Sequence, residues 1–404
     1  MNDSLNHLPE ISKADWLEQV NKDLKGADFA DKLIHEREGI AVEPLYTVEA
    51  LPEFADDPNT EFLEDVDPDI LEAISDAGGQ HLAWSMVEEF TLSAETDLNM
   101  LVAMTRNRGI ADMRIRVAQD ADWDHIINEI RKLSAPVNFY FDITGNLDEV
   151  MVDHWRERIG FLGERDRLVQ AIEFDPLKHW AQHGKPEDAG KQMHELAQAC
   201  LRFSGYLQDC RLIKVDVQDI AEAQGTCVQQ LVVCLQRTAA YLDAMESRNV
   251  PLHELIQLIT FRFGIGTNYF FEIAKLRAFK ILWQNIVQVY VPDIDFIPNP
   301  YIHGAISTNS FTTEDKHTNL LRTTTAAMSA ILGGADAISL PVYDTELPMD
   351  EHGLRLAANV HNLLRYESYL DKNRDAANGS YYIESLTREM GEQAWTAFIE
   401  SQKS

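Results

Sequence analysis

Little in this chain can be cross-linked. Its 404 residues hold four cysteines, Cys200, Cys210, Cys227 and Cys234, and no Cys-x-x-Cys spacing. That pattern excludes a disulfide scaffold and a zinc ribbon, and it predicts buried, reduced thiols in a cytoplasmic protein. Basic side chains are scarce too: 35 Lys and Arg stand against 66 Asp and Glu, a formal net charge of −31. Such a balance weighs against a nucleic-acid or anionic-membrane surface. It also weighs against gathering polyanionic small molecules, except where a local basic pocket overrides the average. No apolar run reaches the length of a membrane span. The opening MNDSLNHLPE lacks the basic and apolar regions of a signal peptide. Dinucleotide-binding GxGxxG, P-loop and GxSxG patterns are missing, as are internal repeats and low-complexity tracts.

What is present is a rhythm of strands and helices. In 258–283, Ile259, Phe261 and Phe263 alternate with Thr260 and Arg262, as in a strand. Gly264 and Gly266 permit a turn, Asn268 is a candidate N-cap, and Glu272 sits where a helix dipole favours an acid. Phe270, Ile273, Ala274, Ala278 and Ile281 then make one apolar helical face. Strand-like runs recur at 81–90, 113–118, 137–142, 170–175, 211–217, 258–264, 301–307 and 336–341. Helical patterns fill 95–108, 190–203, 226–246 and 314–332, the last opened by a capping-box pattern of Thr312 with Asp315. Eight alternating units predict an α/β fold, a (β/α)8 TIM barrel over 56–404 with a C-terminal helical segment. Residues 1–55 read as an N-terminal arm and linker for subunit contact, with Trp16, Val20, Leu24 and Phe29 as an apolar stripe.

In such a barrel chemistry sits at the C-terminal strand ends. The candidates there are Glu88, Glu89, Asp142, Asp175, Asp216, Asp219, Arg262, His303 and Ser307. Each has a plainer role: acids as helix caps, Arg262 as partner of a barrel acid, His303 as a hydrogen-bonded core histidine. His179 and His183 share a helical spacing, but LKHWAQHGKPED reads as a surface loop with no third ligand, so no metal site is expected.

The run Tyr269-Phe270-Phe271-Glu272-Ile273-Ala274-Lys275-Leu276-Arg277-Ala278 resembles a signature of the adenosylcobalamin-dependent acyl-CoA mutases, chiefly the methylmalonyl-CoA mutase family. Leu24-Lys25-Gly26, Glu38-Gly39-Ile40, Pro44-Leu45-Tyr46 and the later Asn378-Gly379-Ser380-Tyr381-Tyr382-Ile383-Glu384-Ser385-Leu386-Thr387 are similar to the same proteins. The resemblance implies a barrel that threads an acyl-CoA along its axis. It also implies a cobalamin-binding domain with an Asp-x-His-x-x-Gly loop, a motif this sequence does not contain. Catalytic mutases carry Arg-Gln-Tyr where this chain has Val87-Glu88-Glu89, and Tyr-His where it has Gln218-Asp219. They carry His-Asn where it has Gly266-Thr267, and Arg where it has Tyr301.

The resemblance therefore implies the small (beta) subunit of a heterodimeric mutase. Such a subunit is catalytically silent and supports a larger catalytic subunit that binds most of the adenosylcobalamin. No catalytic, cofactor-binding or metal residue is expected on this chain; Glu88, Glu89, Gln218, Asp219, Gly266 and Tyr301 are degenerate positions. Glu88 and Glu89 are expected to repel a substrate carboxylate, at roughly 1 kcal/mol for 4 Å in water. Phe90, Phe263 and Tyr301 are expected to plug the axis. The alternatives are an active divergent acyl-CoA mutase barrel with a separate cobalamin-binding chain, or an unrelated barrel aldolase or hydrolase.

Overall fold

The structure, a computed structural model, describes residues 12–47, 83–92, 96–118, 121–133, 137–144, 169–203, 210–294, 296–347, 349–373 and 375–403. A short antiparallel hairpin comes first, β1 (His35–Arg37) and β2 (Ile40–Val42). Glu38 and Gly39 both have positive φ, as the two-residue turn of such a hairpin requires. Eight parallel strands follow: β3 (Ser85–Thr91), β4 (Asp112–Ala118), β5 (Asn138–Thr144), β6 (Val169–Phe174), β7 (Arg211–Asp216), β8 (Ile259–Ile265), β9 (Tyr301–Ile306) and β10 (Ala337–Ser339). They pair in chain order and β10 closes on β3, so the expected barrel is present. Each of the eight sequence runs carries one of these strands; the first begins later, at Ser85, and residues 81 and 82 lie outside the described residues.

Because helices cover the outside, strand residues are buried on both faces. All seven residues of β8 are buried. Phe261 and Phe263 point out and pack edge-on against Phe279 of the helix Tyr269–Tyr290. That helix in turn meets the C-terminal helix Tyr381–Lys403, whose Ile383, Leu386, Met390, Ala394 and Phe398 form the buried stripe. Arg277 ties the two together through Glu384 at 2.6 Å.

Several local expectations change. Phe270 and Ile281 are exposed and do not belong to the buried face, which turns instead on Phe271, Ile273, Ala274 and Ala278. Asn268 precedes the helix without a side-chain cap; its amide reaches Glu38 at 3.2 Å. The helix expected from 314 starts at Thr318, because Asp315 and Asn319 bond within a turn first. Residues 176–183 are helical, started by Asp175 and Pro176 and ended at Gly184 with φ of 93°. His179 and His183 stack there on an exposed face, and no metal-type cluster occurs among the described residues. All four cysteines are buried and free, and burial pushes Cys200 and Cys210 up to about 12.

The N-terminal region divides in two. The helix Lys13–Asp23 buries nothing, and Trp16, Val20, Leu24 and Phe29 are half-exposed. The hairpin instead docks on its own barrel. Ile40 is buried, and the Glu38 carboxylate accepts from the Cys227 backbone N–H at 2.7 Å, at the start of the helix Cys227–Glu246.

Candidate functional site

Along the barrel axis the strands present charge. Alternation sends Glu89 of β3, Arg114 of β4, Tyr140 and Asp142 of β5, Glu173 of β6, Lys214 and Asp216 of β7, Arg262 of β8, and Tyr301 and His303 of β9 to one face. These side chains bond to one another. Arg262 reaches across to Glu89 at 2.8 Å. Arg114 pairs with Glu173, and Lys214 with Asp142 at 2.5 Å. Lower in the barrel, the Tyr301 hydroxyl donates to the Tyr140 hydroxyl at 3.4 Å, between strands on opposite sides of the ring. Arg211 lies 3.6 Å over the Tyr301 ring. The axis is thus bridged at two heights.

The upper end is covered as well. Gln218 begins the short helix Gln218–Glu222, and its side-chain carbonyl accepts from Arg262 Nε at 3.1 Å. The helix fits because Gly264 has no side chain: a Cβ there would stand 2.4 Å from Ala221 Cβ. Asn309 donates to the Ala221 carbonyl at 2.6 Å. Lys178 adds a pair to Asp216 at 2.9 Å and lies 3.8 Å from Asp219.

The electrostatics are those of a self-neutralised interior. Burial works to raise the Glu89 pKa, yet attraction and hydrogen bonding to Arg262 hold it at about 2. Burial likewise opposes ionisation of Asp216, and is outweighed by Lys178, Lys214 and Arg262. His303 is pushed well below its ordinary value by burial and by repulsion from Arg114 and Arg262. It is therefore neutral, and one ring nitrogen meets the Ser339 hydroxyl at 2.6 Å. Four carboxylates, Glu89, Asp142, Glu173 and Asp216, face four cations, Arg114, Lys178, Lys214 and Arg262. Such pairing seldom adds net stability where the charges lose their water, as at Arg114 and Glu173, whereas Glu89 at the mouth keeps access to solvent.

Other expected residues fall elsewhere. Glu88 points outward and bonds Arg108 at 2.5 Å and Thr105 at 2.8 Å, so it takes no part at the axis. Phe90 shares that outward face, and Phe263 packs on Phe279; neither plugs the barrel, whereas Tyr301 is inside. Asp142 is an ion-pair partner, not a cap. Asp175 caps Pro176–His183 and also accepts from Tyr241 at 2.8 Å. Gly266 donates its N–H to Glu272 at 2.9 Å. Ser307 is buried and accepts from the Asn309 N–H at 3.3 Å. The reading of strand ends alone missed Arg114, Tyr140, Glu173 and Lys214. Their signal was charge or hydroxyl in the middle of strands buried on both faces.

The family model described as methylmalonyl-CoA mutase matches residues 157–403. The chain belongs to the methylmalonyl-CoA mutase family. It is 28% identical to the methylmalonyl-CoA mutase small subunit of Porphyromonas gingivalis, over 97% of this chain and 63% of that protein. It is 33% identical to the small subunit of Streptomyces virginiae over 59% of this chain and 38% of that one. The methylmalonyl-CoA mutase of Escherichia coli is 25% identical over 94% and 57%. The chain thus spans less than two thirds of the length of these relatives.

Three stretches that carry the resemblance to methylmalonyl-CoA mutases meet away from the axis. Pro44 to Tyr46, Tyr269 with Phe270, and Gly379 to Tyr382 line one open pocket of about 850 Å³, together with His35 and Arg37 of the hairpin. Glu89, Gln218 and Tyr301, expected above as degenerate positions, lie in the bridged axis or over it.

Proposed function

We propose that this chain is the small, non-catalytic subunit of a cytoplasmic methylmalonyl-CoA mutase, partnered by a larger homologous chain that carries adenosylcobalamin, acyl-CoA and turnover. The observation that carries this reading is the bridged axis: Arg262–Glu89 and Tyr301–Tyr140 stand where an acyl chain has to pass. The residues at the mouth do not fit cobalamin either. The helix Gln218–Glu222 is seated on Gly264, and His303 is enclosed and committed to Ser339. The names of the small-subunit relatives support a partnered role. No helix among the described residues is long and apolar enough to cross a membrane.

The half-exposed stripe of Trp16, Val20, Leu24 and Phe29 is the part of the arm we assign to the partner, since the hairpin is already held by its own barrel. The test is co-expression with a full-length large mutase chain. A stable complex should form and turn over methylmalonyl-CoA, while this chain with added adenosylcobalamin should not. Turnover by this chain with only a short cobalamin-binding chain would favour the divergent-enzyme reading.

A further inference from the structure

The pocket between the hairpin, the start of the helix Tyr269–Tyr290 and the start of the helix Tyr381–Lys403 differs from the axis in both lining and charge. Its aromatic rings form a chain: Tyr46 to Tyr382 at 5.0 Å, Tyr382 to Phe270 at 5.3 Å, Phe270 to Tyr269 at 5.2 Å. Phe270 is 47% exposed and Tyr381 42%. A fold that has buried Phe261, Phe263, Phe271 and Phe279 leaves these rings facing an open cavity. At about 850 Å³ the cavity is within the range of small-molecule sites.

One cation that lines it is left without a partner among the described residues. The pocket's one lining carboxylate among the described residues, Glu43, is held by Lys13 at 2.8 Å. The acids in the first turns of the two helices are also engaged, Glu272 with Lys275 and Glu384 with Arg277. Arg37 lines the pocket and has no hydrogen-bond or ion-pair partner among the described residues; His35 stands two residues before it on the same face of β1. Tyr269 and Tyr381, the first residues of helices of 22 and 23 residues, are both in the lining, so two positive helix ends add to Arg37. In a chain of net charge −31 this places an unengaged guanidinium beside aromatic faces.

We propose that this pocket binds a small planar aromatic molecule bearing an anionic group, with the ring on Phe270 and Tyr382 and the anion toward Arg37. The site is independent of the barrel axis and of the subunit reading above. Ring contacts and a charge-assisted hydrogen bond each add affinity, so a ligand with both groups should exceed either alone.

The test uses the full chain, phenyl phosphate and phenylacetate as probes, and saturation-transfer NMR with calorimetric titration. Saturable binding of either probe is expected, at least ten-fold tighter than benzyl alcohol or inorganic phosphate. Phenyl phosphate preferred would assign a phosphoryl-bearing ligand, and phenylacetate preferred an aromatic carboxylate. Arg37→Gln and Phe270→Ala, both at exposed positions, should each weaken binding about ten-fold with unchanged circular dichroism. Failure of both probes to saturate at millimolar concentration would overturn the proposal. So would full affinity in both variants, or equal binding of benzyl alcohol.

Discussion

The barrel axis and the rim pocket are built from similar residue types and used in opposite ways. On the axis the charged groups at the strand ends meet partners: Arg262 with Glu89, Arg114 with Glu173, Lys214 with Asp142. At the rim Arg37 has no such partner among the described residues, and rings that fill cores elsewhere face solvent. A barrel whose strand-end charges pair with one another keeps its fold, and the pocket proposed above as a binding site lies beside the axis instead. Fold class alone therefore does not locate the working surface of this family member.

The sharpest break between the two regions should come from removing one axis partner. Glu173→Ala leaves Arg114 buried and unpaired and should cost about 3–5 kcal/mol in urea unfolding. A cost below about 1 kcal/mol would mean that Arg114 is solvated. Next, Gly264→Val forces a side chain against Ala221 and should cost about 1–3 kcal/mol while loosening the helix Gln218–Glu222. Amide exchange across 218–222 would report the loosening, and unchanged protection would show that the helix does not rest on Gly264.

Acid should act on the axis first. Glu89 is depressed to about 2 in the fold, against about 4.3 for a free glutamate. The unfolded chain thus binds the extra proton, and this contribution is complete above about pH 5 and lost as pH falls toward 2. Neutral His303 adds loss from about pH 6.5 downward, since only the unfolded form protonates readily. Asp112, Asp175 and Asp336 are raised, chiefly by desolvation, and act in the opposite sense. Measured as midpoint against pH, Glu89→Gln should flatten the fall below pH 5. A slope identical to the parent's would remove Glu89 from the account. The smallest effect is expected at the rim, where Phe270→Ala should alter stability by less than about 0.5 kcal/mol. A larger loss would mean that the ring is structural.

The barrel was legible because period-two apolar runs separated by helical patterns leave few topologies. The pairing of Arg262 with an acid and the burial of His303 were legible for the same reason: a polar residue inside a buried strand needs a partner. Which acid served was not, since Glu88 and Glu89 are neighbours and strand phase alone decides which faces in. The same one-residue phase misplaced Phe90 and Phe263 as plugs. The rim pocket was invisible as a site, because His35, Tyr269 and Tyr382 are brought together only by the closing of the barrel and the return of the C-terminal helix.

The central claim is that the axis is bridged by the chain's own side chains, and a double-mutant cycle on Glu89 and Arg262 tests it most directly. Glu89→Gln, Arg262→Gln and the double variant would be compared by urea unfolding at neutral pH. The account predicts a coupling of at least about 1 kcal/mol, as residues in contact show. Additivity within about 0.3 kcal/mol would mean that the two side chains do not meet, and that the upper of the two bridges is absent.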